Sequence, residues 1–253
     1  MCYVGNTGDS RAVMSVDGGN TIYDLSTDHK PTDDVEMERI LGNGGRIYQN
    51  SSVVNQQSHL GQQSQVVLGP TRVFPGRLSV SRTFGDIEAK LPKFDGNPNV
   101  VVADPDIVAF KIDKDRHDFI CIGCDGIFDK MESKDAIHCA WQAALSSEAQ
   151  QPNIQLHSST EEEEAQRKLN AQSNNKKTKL SPQDERRHKL AGHTVDAILK
   201  ASSIRKTCDN ITTVLITFDN FYKNLDEMRG KDHRSIEKEV LDIVQLEPVP
   251  EDY

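Results

Sequence analysis

The sequence predicts an α+β domain over residues 1–220, rich in strand, with a flexible insertion at 146–189 and an acidic, partly helical tail at 221–253. Three observations carry that expectation. Short apolar runs are bounded by Gly, Asn and Asp turn signals. A smaller number of segments shows the spacing of amphipathic helices. The stretch SSEAQQPNIQLHSSTEEEEAQRKLNAQSNNKKTKLSPQDERRHK has few core-forming residues, an acidic run at Glu161–Glu164 and then basic clusters, which is the composition of solvated chain.

Residues 2–5 and 11–16 read as strands around an NTGD turn, and DGG at 17–19 turns the chain into a return strand at 21–25. Asp33 is placed to cap a short helix, with Glu36 at the reciprocal capping-box position and Gly42 at its end. Val35, Met37, Ile40 and Leu41 are its expected apolar contacts. From 49 to 65 Gln, Ser and Asn dominate, so a long loop or an excursion is expected. RLSVS at 77–81 alternates as a strand, and two further short strands flank Asp-Pro-Asp at 104–106. DFICIGC is the best buried-strand candidate. Helices follow at 132–144, with Ile137, Ala140 and Trp141 as the core side, and at 190–204; ITTVLITF at 211–218 is the closing strand. In the tail, Ile236, Val240, Ile243 and Val244 have helical spacing.

A formal charge of -9 with no concentration of Lys and Arg argues against nucleic-acid binding. No segment has the length and apolarity of a membrane span, and no signal peptide is evident. Five cysteines do not resemble a secreted disulfide framework. The expected setting is therefore cytoplasmic, with the nucleus as an additional location. Cys121 and Cys124 form a C-x-x-C, but a strand would point them to opposite faces, which favours buried thiols over redox or zinc use.

Three aspartates stand where a strand meets a loop: Asp9 after NTG, Asp125 behind DFICIGC, and Asp209 before the closing strand. Each is also an ordinary turn former. Brought together by a fold, such carboxylates repel one another unless a cation offsets their charge, and hard oxygen donors suit Mg²⁺ or Mn²⁺. Gly8 and Gly126 would allow close backbone approach. H-E-x-x-H, G-x-x-x-x-G-K-[ST] and G-x-S-x-G are all absent from the sequence. Arg11 and Arg82 are expected to steady the local sheet rather than grip phosphate. Asp86 is a candidate for orienting its loop, and Asp129 for capping the helix near Ser133.

VGNTGDSRAVM, LSTDHKP, ERILGNGGRI, GRLSVSRTFGD, DPDI, FICIGCDGIFDKM and DNITTVLITF follow one another along the chain. In content and order they resemble the PP2C-type (PPM) metal-dependent protein serine/threonine phosphatases. That resemblance implies a β-sandwich flanked by helices, with two Mg²⁺ or Mn²⁺ ions per complete site at one end. It implies Asp125 and Asp209 as metal ligands, Asp9 at a weaker third metal position, and Gly126 and Asn210 as supporting residues; Asp86, read from its own loop, is expected to support them from outside the ligand set. It also implies phosphoprotein substrates, attacked directly by a metal-bound water without a phosphoenzyme.

The family's upstream glutamate, its D-G-H-G-G segment, its phosphate-gripping arginine and its acidic histidine have no counterpart here; His29 lies in DHKP and His59 in the Gln-rich stretch. The chain begins inside a strand-like pattern, where roughly the second half of the family domain starts. Little turnover is therefore expected of residues 1–253 alone. The alternatives are a catalytically inactive, phosphatase-like protein-binding module and an incomplete fragment.

Overall fold

The computed structural model describes residues 1–58, 61–147 and 180–230. Its strands are β1 (Cys2–Asn6), β2 (Arg11–Val16), β3 (Thr21–Asp24), β4 (Arg46–Ser58), β5 (Gly61–Phe74), β6 (Asp106–Phe110), β7 (His117–Gly123) and β8 (Thr213–Thr217). Its α-helices are α1 (Asp34–Gly42), α2 (Ile87–Lys90), α3 (Asp125–Phe128), α4 (Ser133–Ser146), α5 (Pro182–Ile204) and α6 (Asp219–Gly230).

An antiparallel sheet in the order β3-β2-β7-β8 is the centre of the molecule. Successive side chains on a strand point to opposite faces, so β2 and β7 each feed two cores. Val13, Phe119 and Cys121 face the helices, where they meet Ile127, Ile137, Trp141, Ile198, Phe221 and Leu225. Ala12, Met14, Val16 and Ile120 face the other way, toward Val4 of β1 and Phe110 of β6, which pair as a second sheet. The result is a sandwich with helices on one outer face.

Trp141 lies in the helical core as the apolar spacing requires, its ring 4.9 Å from Phe221 and its indole N–H donating to Ser15 Oγ at 2.9 Å. Gly19 must be glycine: it has φ +86°, and a Cβ there would lie 2.7 Å from the Trp141 indole nitrogen. Buried Asp118 ties this turn to α6. Its carboxylate accepts from Ser15 Oγ and from the Gly18 and Gly19 amides on one oxygen, and from the Asn220 and Asn224 amides on the other. Burial pushes the Asp118 carboxyl up, and these donors oppose that.

Several local expectations are corrected. The Gln-rich stretch is not an unpaired loop; β4 and β5 pair from Arg46↔Phe74 to Ser58↔Gly61, because a backbone ladder does not need apolar side chains. Residues 77–81 form no strand: Leu78 makes a lone bridge to Val73 after a turn with positive φ at Gly76 and Arg77. Of the two strands flanking Asp-Pro-Asp, only β6 forms, and Val100 and Val101 are instead buried with Ile40, Val73 and Ala89. Asp33 does cap α1, accepting from the Val35 and Glu36 amides. Glu36 does not reach back to complete the box; it is buried against arginines. Val35 and Leu41 are exposed, and the apolar anchor of α1 is Ile40.

Helix α5 begins at Pro182 with Ser181 as its cap, inside the stretch expected to be flexible. Helix α6 crosses the expected boundary at 220, and its Phe221 and Leu225 belong to the helical core. Residues 148–179, which hold the acidic run, and 231–253, which hold the expected tail helix, lie outside the described residues. Cys121 is buried, and Cys124 is half-buried, donating from Sγ to the Asn210 carbonyl; both are free thiols with structural surroundings. Among the described residues, no helix is long and apolar enough to cross a membrane.

Candidate metal centre

Sheet register gathers the three aspartates. Arg11 pairs with Gly123, so the chain leading into β2 and the chain leaving β7 meet at the same end of the ladder. Asp9 stands two residues before Arg11, and Asp125 two after Gly123. Gly123 also pairs with Thr213, which brings the approach to β8, including Asp209, to that end.

The two outer loops are in direct contact. The Cys124 amide donates to the Thr212 carbonyl at 3.1 Å, and the Thr212 amide to Cys124 Sγ at 3.2 Å. Gly126 fills the junction: a Cβ there would lie 2.3 Å from the Asn210 carbonyl oxygen and 3.4 Å from Asp209 Cβ. Asp125 Oδ1 accepts from the Gly126 amide, and Asp209 Oδ1 from the Asn210 amide, so each carboxylate is steadied by the backbone behind it.

Asp9 is mostly covered. Burial raises its carboxyl, the negative charge of Asp125 raises it further, and Lys30 pulls it back. The Lys30 ammonium lies 2.5 Å from Asp129 Oδ1, 3.9 Å from Asp9 Oδ2 and 4.0 Å from Asp28 Oδ2. Mutually repelling carboxylate oxygens are the donors a hard divalent cation requires, so the chemistry fits Mg²⁺ or Mn²⁺. No group of three or more His, Cys, Asp and Glu side chains among the described residues forms a metal cage as it stands. Lys30 supplies positive charge there instead.

Asp86 is not shown among these groups; it accepts from Thr83 Oγ1 and shapes its own turn. Asn210 meets Gly126 through its backbone carbonyl. Asp129 does not cap α4, since Glu132 holds the cap position and Asp129 pairs with Lys30. Arg11 grips Asp28 with two bonds of 3.0 and 2.9 Å and also donates to Ser133 Oγ, as expected of a sheet-steadying arginine. Arg82 is held by Glu36 and Asp106. Sequence reasoning missed Lys30 and Asp28. Their only signal was the acid–base spacing in DHK, which does not tell which strand end they face. An open cleft of about 1150 Å³ is lined among others by Arg11, Asp129, Lys130, Ser133 and His138; Asp9, Asp125 and Asp209 are not among its lining residues, and Asp129 links it to the Lys30 cluster.

The profile of the family described as Protein phosphatase 2C matches residues 2–180. The chain is 38% identical over 136 residues to "Probable protein phosphatase 2C 21" of Arabidopsis thaliana, covering 53% of this chain and 31% of that protein. It is 35% identical over 134 residues to "Protein phosphatase 2C homolog 2" of Saccharomyces cerevisiae, covering 53% of this chain and 24% of that protein. The chain thus spans about a third or less of the length of these relatives. A solved structure titled "Structure of a C.elegans sex determining protein" superposes with a TM-score of 0.53 at 17% identity, over 88% of this chain and 38% of that one. At that identity it speaks for the fold alone.

Proposed function

The chain belongs to the protein phosphatase 2C family, and from that premise we propose that it carries the carboxylate side of a metal-dependent protein serine/threonine phosphatase site. The observation that supports this is the convergence of the Asp9, Asp125 and Asp209 loops at one end of the sheet, with the Asp9 carboxyl raised by burial first and by the charge of Asp125 second. Asp125 and Asp209 would be the principal ligands of Mg²⁺ or Mn²⁺, and Asp9 a weaker one. When bound, the ions would activate a water for attack on phosphoserine or phosphothreonine and neutralise phosphoryl oxygens. The chain's own residues set the geometry: backbone amides at 126 and 210 orient two carboxylates, and Gly126 keeps their loops in contact.

Calorimetric titration of Mn²⁺ into the 253-residue protein tests the site. Binding is expected, and Asp125→Asn should weaken it by at least about tenfold without changing the circular dichroism. A wild-type protein that binds no Mn²⁺ would overturn the proposal. Any phosphate released from a phosphothreonine peptide with Mn²⁺ should vanish in Asp125→Asn; release that survives would remove Asp125 from its role.

A further inference from the structure

His29 is 2% exposed and brackets the residue next to Asp9. Its backbone amide donates to the Gly8 carbonyl at 3.0 Å, and its Nδ1 accepts from the Gly8 amide at 3.1 Å. Because Gly8 is a donor, Nδ1 must be the unprotonated nitrogen, and the ring proton sits on Nε2. Nε2 lies 3.1 Å from Asp106 Oδ2 and donates to it. Asp106 in turn accepts from Arg82 at 2.8 Å, and Arg82 is paired with buried Glu36 at 2.6 Å. The ring is thus held at both nitrogens, and the His29 carbonyl accepts from the Ser81 amide at 2.8 Å, which fixes the backbone that carries it. A chain of charged groups from α1 through Arg82 and Asp106 therefore ends on the turn that carries Asp9.

We propose that His29 is a positioning residue, which holds the Gly8–Asp9 turn through Nδ1 and so aims the Asp9 carboxylate for cation binding. The metal half of this inference rests on the function proposed above. Removing a group bonded directly to a metal ligand costs about 10–100-fold in affinity. His29 acts on the backbone beside Asp9, so the expected loss lies at the low end, about tenfold or less.

Three substitutions separate the two ring contacts. His29→Leu removes both. His29→Asn keeps an acceptor near the place of Nδ1, and His29→Gln keeps a donor near the place of Nε2. Two readouts apply to each: Mn²⁺ affinity by calorimetry, and hydrogen exchange of the Gly8 amide relative to amides of β7. In His29→Leu, Gly8 exchange should accelerate and Mn²⁺ affinity should fall by up to about tenfold, less than in Asp125→Asn. His29→Asn should recover both to within a few-fold, while His29→Gln should behave like Leu. Recovery by Gln and not by Asn would overturn the role of Nδ1, and that comparison stands even if the Leu variant fails to fold. Unchanged Gly8 exchange in a folded Leu variant would overturn the anchor. Absence of Mn²⁺ binding to the wild type would defeat the metal-site proposal and the metal half of this one, with the exchange data deciding the anchor separately.

Discussion

Glu36→Gln is the perturbation with the most defined consequence. The Glu36 side chain is 2% exposed, with Oε1 accepting from Arg82 Nε at 3.0 Å and from a terminal Arg82 nitrogen at 2.6 Å. Its Oε2 accepts from Arg39 at 2.7 Å and from Ser81 Oγ. Burial alone would raise the carboxyl, but the bonds from Arg82, Arg39 and Ser81 outweigh it and hold it at about 2, against an ordinary 4.5. Each tenfold change in proton affinity is worth about 1.4 kcal/mol, so the ionised form contributes about 3 kcal/mol. The sign follows from the depressed value. The contribution is complete above the unfolded carboxyl's range near 4.5 and is lost as pH falls toward 2. Glutamine keeps the shape and removes the charge, and half-exposed Asp106 still pairs with Arg82, which limits further loss. Urea unfolding at pH 7 should show Glu36→Gln less stable by about 3 kcal/mol, with roughly half of that difference gone by pH 3. Equal stability at pH 7, or a difference that stays constant down to pH 3, would refute the assignment of this carboxylate as ionised and paired.

Gly126→Ala should destabilise the protein by about 1–3 kcal/mol, since its Cβ would meet a backbone carbonyl that cannot swing aside; a wild-type urea midpoint would show that the loops are not in contact. Lys30→Met removes the ammonium among Asp129, Asp9 and Asp28, and Mn²⁺ should then bind about tenfold more tightly by calorimetry; weaker binding would instead make Lys30 a scaffold for the cluster. Asp118→Ala leaves five donors without their acceptor. It should cost about 3–5 kcal/mol and speed hydrogen exchange in α6, and an unchanged melting temperature would contradict the described network.

Local patterns in the sequence were enough for the frame. Turn signals at NTGD and DGG, and the apolar run DFICIGC, located strands that the structure contains within a residue or two. The helical spacing of Ile137, Ala140 and Trp141 placed them in the core. Those signals are readable because strand and helix periods, and turn chemistry, involve neighbours only a few residues apart. Other features depend on partners far along the chain. Glu36 had the spacing of a capping residue, yet Arg82, 46 residues away, claims it. Asp129 had the place of a cap and is taken by Lys30, 99 residues before it. The polar run from 49 pairs because β5 offers it a ladder, which composition does not reveal. By itself the sequence determined which carboxylates stand at strand ends and which family the chain resembles. Only the tertiary structure decided that Asp9, Asp125 and Asp209 share one end of the sheet, and that His29 and Lys30 face it. Strand register is a long-range choice, settled by which faces can be buried together, and no window of neighbouring residues contains it.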